Sequence, residues 1–65
     1  MKIVVNGQTC DVKAHDLAGL IEELDFPSEL VATAVNETFV RAKERRQRRL
    51  CEGDKVEVLT PRQGG

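Results

Sequence analysis

Near the start of the chain, Asn6-Gly7 stands between the β-branched run Ile3-Val4-Val5 and a second strand-like run, Thr9 to Lys13. A two-residue type I′ turn needs φ > 0 at both central positions, and Asn-Gly meets that demand at the lowest steric cost. The first thirteen residues therefore predict a β-hairpin. Next, Leu17, Leu20, Ile21 and Leu24 recur at i, i+3, i+4 and i+7, one apolar face at a 3.6-residue period. Asp16 precedes them as a helix N-cap would. Pro27 disfavours helical geometry at Phe26, which places the helix end at about Asp25.

Three further strands follow from pattern. Residues 30–36 read as a strand with small side chains, Thr38 to Val40 as its short partner, and residues 55–60 as the last strand after a turn at Glu52-Gly53-Asp54. The stretch from Arg41 to Leu50 has no clear period, and a helical turn fits it. Hairpin, helix, then strands is an order in which the helix crosses over and covers one face of a mixed sheet. This is the β-grasp arrangement, an α+β fold of four to five strands against one main helix. A ferredoxin-like fold needs a second full helix. Residues 1–60 are expected to form that one domain, and residues 61–65 a flexible tail.

In the last strand Val56 and Val58 share a face, and Leu59 falls on the other, with Lys55 and Glu57. Two readings stay open: a strand end buried on both sides, or an exposed contact patch near the tail.

At 65 residues, a domain hides only about 60% of its unfolded surface. A pocket for a small substrate takes about 300 Å³ or more, which argues against an autonomous enzyme. No apolar run approaches the roughly 20 residues of a membrane-spanning helix, so the expectation is a small cytoplasmic protein.

The net charge of −1 conceals a split. Residues 1–40 carry seven acids against two bases, and residues 41–65 carry eight bases against four acids. The acidic helix face, with Glu22 and Glu23, and the basic stretch, with Arg45 and Arg46, are candidate docking surfaces. Six of the nine residues from Arg41 to Arg49 are Lys or Arg, a pattern that can also meet phosphate backbones. The overall charge, the short run and the lack of interleaved aromatics (Phe26 and Phe39 are the two present) weigh against nucleic acid. Cys10 and Cys51 stand without neighbouring metal ligands and are expected as reduced, partly buried thiols. His15 beside Asp16 lacks a recognisable nucleophile.

After Thr60 the chain reads Pro61-Arg62-Gln63-Gly64-Gly65. A terminal glycine pair contributes little to a fold, because glycine has the most backbone freedom to lose. A frayed end is the plain reading. The alternative is that the C-terminus is itself the reacting group, on an arm that reaches at most about 17–18 Å and is thin enough for a narrow channel. An α-carboxyl is ionised at neutral pH, so a nucleophile does not attack it until it is activated. No glycine-rich phosphate loop is present; the activating machinery belongs to another protein.

On the Val-Val-Asn-Gly hairpin, Val35-Asn36-Glu37 leading to Val40-Arg41, the run from Glu52 to Val58 and the Gly-Gly end, the chain resembles the ThiS family of sulfur carriers in thiamine biosynthesis. It departs from the family's usual Val-Pro-Arg at Val40-Arg41-Ala42, and its Arg45–Arg49 stretch is more basic. The resemblance implies that an adenylating enzyme of the E1-like type, using ATP and Mg²⁺, activates Gly65. Sulfur from a donor system such as a cysteine desulfurase then gives a terminal thiocarboxylate, and thiazole synthase takes the sulfur. In this reading Gly64, Gln63 and Arg62 give the tail its access, and Leu59 and Pro61 join the possible partner interface. The carrier itself binds no cofactor or metal and is a monomer when free. Alternatives are a small molybdopterin-synthase subunit, a ubiquitin-like modifier and a basic RNA-binding β-grasp module.

Overall fold

The computed structural model describes residues 1–60. Strand β1 (Lys2–Val5) turns into β2 (Gln8–Asp11), helix α1 (Leu17–Glu23) follows, and β3 (Ala32–Val35) turns into β4 (Thr38–Val40). A 3₁₀ helix (Ala42–Gln47) then leads to β5 (Lys55–Leu59). The five strands form one sheet in the order β2-β1-β5-β3-β4. β1 and β5 run parallel at its centre, and the other pairs are antiparallel. This is the β-grasp architecture expected from the sequence.

The first hairpin closes through Asn6 at φ 50° and Gly7 at φ 83°, the two positive values of a type I′ turn. Pairing starts at Val5↔Gln8, one residue earlier than the sequence reading, because the loop holds only two residues. The strand also ends earlier, at Asp11. The Lys13 and Ala14 N–H groups turn to the Glu23 carboxylate, at 3.0 Å each.

Helix α1 begins as anticipated, with the Asp16 carboxylate accepting from the Gly19 N–H at 2.7 Å. Its end is two residues short of expectation. Asp25 adopts φ 65°, the Asp25 N–H donates to Glu22 O and the Phe26 N–H to Ile21 O. That is the pair of bonds of a Schellman motif, here with Asp rather than Gly in the left-handed position. Phe26 then packs against the core.

Leu17, Leu20 and Ile21 are buried under the sheet, opposite Ile3, Val5, Val35, Val56 and Val58. Each such side chain contributes about 1.5–3 kcal/mol by leaving water. The strand expected to begin at Leu30 begins instead at Ala32, since the Leu30 N–H is held by Pro27 O in a turn at 2.9 Å. The basic stretch resolves into the 3₁₀ helix, which packs beside α1. No helix among the described residues is long and apolar enough to cross a membrane.

Candidate functional site

β5 is paired on both edges, with β1 on one side and β3 on the other, and its last rungs are Thr33↔Val58 and Ala32↔Leu59. Strand alternation turns Val56 and Val58 into the core and Leu59 outward. Helix α1 covers the opposite face, so Leu59 is left 67% exposed. The structure thus rules out a strand end buried on both sides. It also brings up a residue the sequence reading passed over: Phe39 on β4, 65% exposed. Ala34 pairs with both Phe39 and Glu57. The small side chains of Ala32 and Ala34 leave a shallow depression bounded by Phe39, Glu57 and Leu59. Phe39 and Leu59 are thus two large apolar side chains exposed on one face, Leu59 two residues before the C-terminal segment begins. The signal for Phe39 was present: Val40 faces the core, so its neighbour in a strand must face away.

Of the other interface candidates, Arg45 must be withdrawn. It is only 5% exposed. Its guanidinium donates to Thr33 Oγ1 at 3.1 Å, Ser28 O at 2.9 Å and Val31 O at 2.7 Å, and Thr33 Oγ1 passes a further bond to Val40 O at 2.8 Å. Arg45 therefore ties the loop after α1 to the second hairpin. A planar fork of five donors suits this task, because backbone carbonyls can accept from it in several directions. Its burial also interrupts the basic run as a binding surface.

Glu22 and Arg46 are exposed and pair with each other at 3.6 Å, a contact worth little in water. The acidic and basic portions of the chain thus meet along α1 and the 3₁₀ helix rather than forming separate surfaces there. Glu23 is occupied by the Lys13 and Ala14 N–H groups. These charges sit on the helix layer, whereas Leu59 sits on the uncovered sheet face. The expected interface residues therefore fall into two unconnected groups. Pro61, Arg62, Gln63, Gly64 and Gly65 lie outside the described residues.

Cys51 is exposed, not partly buried as expected, while Cys10 is half-buried; both are free thiols. Asp16 is engaged in capping α1 rather than as a partner of the exposed His15. No group of three or more His, Cys, Asp or Glu side chains is placed to hold a metal among the described residues. The acidity of Asp54 is shifted. Partial burial raises its carboxyl, but the bond from the Cys51 N–H, the Asn36 amide and the Arg48 charge outweigh that and hold it below the ordinary value. Its role is local: it closes the turn into β5, accepting from Cys51 N–H at 2.8 Å.

The described residues form a small β-grasp body with an apolar patch on its open sheet face, beside the end of its central strand. The model of the ThiS family matches residues 3–65. A crystal structure of a thiamine biosynthesis protein (ThiS) from Geobacter metallireducens is similar with a TM-score of 0.85 at 25% identity, covering 100% of both chains. The solution structure of a thiamine biosynthesis protein from the same organism gives 0.80 at 25% identity, covering 100% of this chain and 88% of that one. No curated protein matches the sequence. The chain belongs to the ThiS family, and its fold and family are those of a β-grasp sulfur carrier.

Proposed function

We propose that the chain carries sulfur for thiazole formation in thiamine biosynthesis, as a thiocarboxylate on Gly65. The observation that carries this reading is the family match, which spans the β-grasp body and runs through the Gly64-Gly65 end. In the first step a Gly65 carboxylate oxygen attacks the α-phosphorus of ATP, held with Mg²⁺ on an adenylating enzyme, and pyrophosphate leaves. A sulfur nucleophile at the hydrosulfide level then adds to the carbonyl carbon and AMP leaves, giving C(=O)S⁻. A donor system such as a cysteine desulfurase supplies the sulfur as a persulfide, a second thiol that ends in a disulfide provides the two electrons that bring it to the hydrosulfide level, and thiazole synthase accepts the sulfur. Activation is required because a carboxylate at neutral pH repels the incoming nucleophile and lacks a good leaving group.

The Phe39–Leu59 patch is the surface on which the partners would dock the body while residues 61–65 reach the reacting centre. Its support is exposed apolar area next to the strand that leads to Gly65, and a rim of Lys55 and Glu57 for orientation. Glu22 and Arg46, on the other layer, are not part of it.

The test is an intact mass of the protein after incubation with ATP, Mg²⁺, the adenylating enzyme and a sulfur donor. One oxygen is expected to be replaced by sulfur, and deletion of Gly65 to abolish the change. An unchanged mass with an enzyme shown to be competent on another carrier overturns the proposal. Conjugation of Gly65 to a lysine would instead identify a modifier.

A further inference from the structure

Asn6 and Asn36 hold equivalent positions in the two hairpin turns, both at φ 50°, and both reach across to β5. Asn36 grips the start of that strand: its Oδ1 accepts from the Lys55 N–H at 3.0 Å, and its Nδ2 donates to Asp54 Oδ1 at 3.1 Å. Asn6 grips the other end. Its Oδ1 accepts from the Val58 N–H at 2.9 Å, and its Nδ2 donates to the Val58 carbonyl at 3.1 Å.

The Asn6 pattern has a specific geometry. The backbone of β1 contributes its last bond to β5 through the Asn6 N–H, which donates to Val56 O at 2.9 Å. The chain then turns away into β2. A carboxamide carries the same acceptor and donor as a peptide unit, so the Asn6 side chain supplies the next rung of the parallel ladder. Val58 is 4% exposed, and backbone groups in such a place need partners. On this edge the partner is Asn6.

We propose that Asn6 is a positioning residue for the C-terminal segment. By completing the ladder at Val58 it ties the end of β5 to the β1 edge, and so steadies the described chain end from which a partner reaches Gly65. The proposal rests on the carrier reading above. Asn36, with the same residue type, turn and number of side-chain bonds, acts at the far end of β5 and serves as its matched control.

The experiment compares Asn6→Gly with Asn36→Gly in the full chain. Glycine accepts φ 50°, so both turns persist while the side-chain bonds are lost. Two quantities are read: backbone amide exchange at Val58, and kcat/KM for adenylation by the partner enzyme, followed by ATP–pyrophosphate exchange. Loss of a net hydrogen bond from the ladder is expected to speed Val58 exchange by about five-fold in Asn6→Gly and to lower kcat/KM by a similar factor. Asn36→Gly is expected to leave kcat/KM within about two-fold of the parent, although it unfolds at lower urea. Asn6→Asp keeps the acceptor for the Val58 N–H and loses the donor, and should fall between.

Equal losses of adenylation in the two glycine variants would reduce Asn6 to a fold-stabilising residue and overturn the proposal. So would unchanged Val58 exchange, or unchanged adenylation, in Asn6→Gly. A parent chain that the adenylating enzyme does not use defeats the carrier reading itself, a result distinct from any difference between variants.

Discussion

The β1–β2 and β3–β4 hairpins flank β5 and turn through the same backbone geometry, with Asn6 and Asn36 both at φ 50°, yet they present different surfaces. On the first, the uncovered face carries exposed Lys2, Thr9 and Asp11 beside half-buried Val4. On the second it carries Ala32, Ala34 and the exposed Phe39. Their turns differ in their second residue as well: Gly7 at φ 83° against Glu37 at φ 71°. One turn suits its sequence and the other is held against its sequence's preference. Both turns are tied through their asparagine, and the second hairpin has in addition the buried Arg45 tie. Arg45 bonds to Thr33, and Asn36 bonds to Asp54 and Lys55. Local propensity favours the first turn, whereas the second adopts the same geometry with Glu37 in the left-handed region.

The largest test of that difference is Arg45→Ala. Removal of the guanidinium leaves Ser28 O and Val31 O without this donor, and the variant is expected to lose about 2–4 kcal/mol of stability in urea unfolding. A loss below about 0.5 kcal/mol, the level of an ordinary surface change, would show that the second hairpin does not depend on it.

Opposite signs are expected at the two turns. Gly7→Ala places a Cβ at a positive φ and should cost about 1–2 kcal/mol. Glu37→Gly removes the same kind of strain and should stabilise by about 0.5 kcal/mol, the gain being reduced by glycine's greater freedom when unfolded. If both changes destabilise, Glu37 makes a contribution that its backbone strain conceals.

A smaller effect depends on pH. Asp54 has a folded carboxyl below its ordinary value of 3.8. The stability it confers is therefore present above that value and is lost as pH falls through the lower, folded value. Asp54→Asn should remove that contribution at pH 7 and so flatten the acid limb of a stability–pH curve below about pH 4, where variant and parent converge. An acid limb that stays as steep assigns the loss to other carboxylates.

The smallest effect on stability is expected at the patch. Phe39→Ser and Leu59→Ser should stay within about 0.5 kcal/mol of the parent, because both side chains already face water. They should nevertheless weaken binding to the adenylating enzyme, whereas Thr9→Ser on the first hairpin's outer face should not. Equal binding by all three would remove the patch from the proposed docking surface.

Much of this was legible in residues that act on their immediate neighbours. Asn6-Gly7 specified its turn, Asp16 its cap, and the Leu17, Leu20, Ile21 period its buried face. The β3 start was missed because Leu30 is engaged by a turn carbonyl, and Asp25 ended the helix early by entering the left-handed region, for which glycine is the usual signal. The candidate site was only half legible. Leu59 could be placed out of phase with Val56 and Val58, but nothing local says whether a second layer covers it.

The sequence alone therefore determined the order of elements, the first turn, the helix and its apolar face, and the Gly64-Gly65 ending that a family comparison recognises. These depend on backbone preferences and periodicities that act over a few residues. Tertiary structure decided that no other described element covers one sheet face, that Phe39 and Leu59 border one depression on it, and that Arg45 is a buried tie rather than a docking charge. It also decided that Asn6 reaches Val58, 52 positions away. Such outcomes depend on which distant groups pack together, and a side chain's burial and partners exist only once they have.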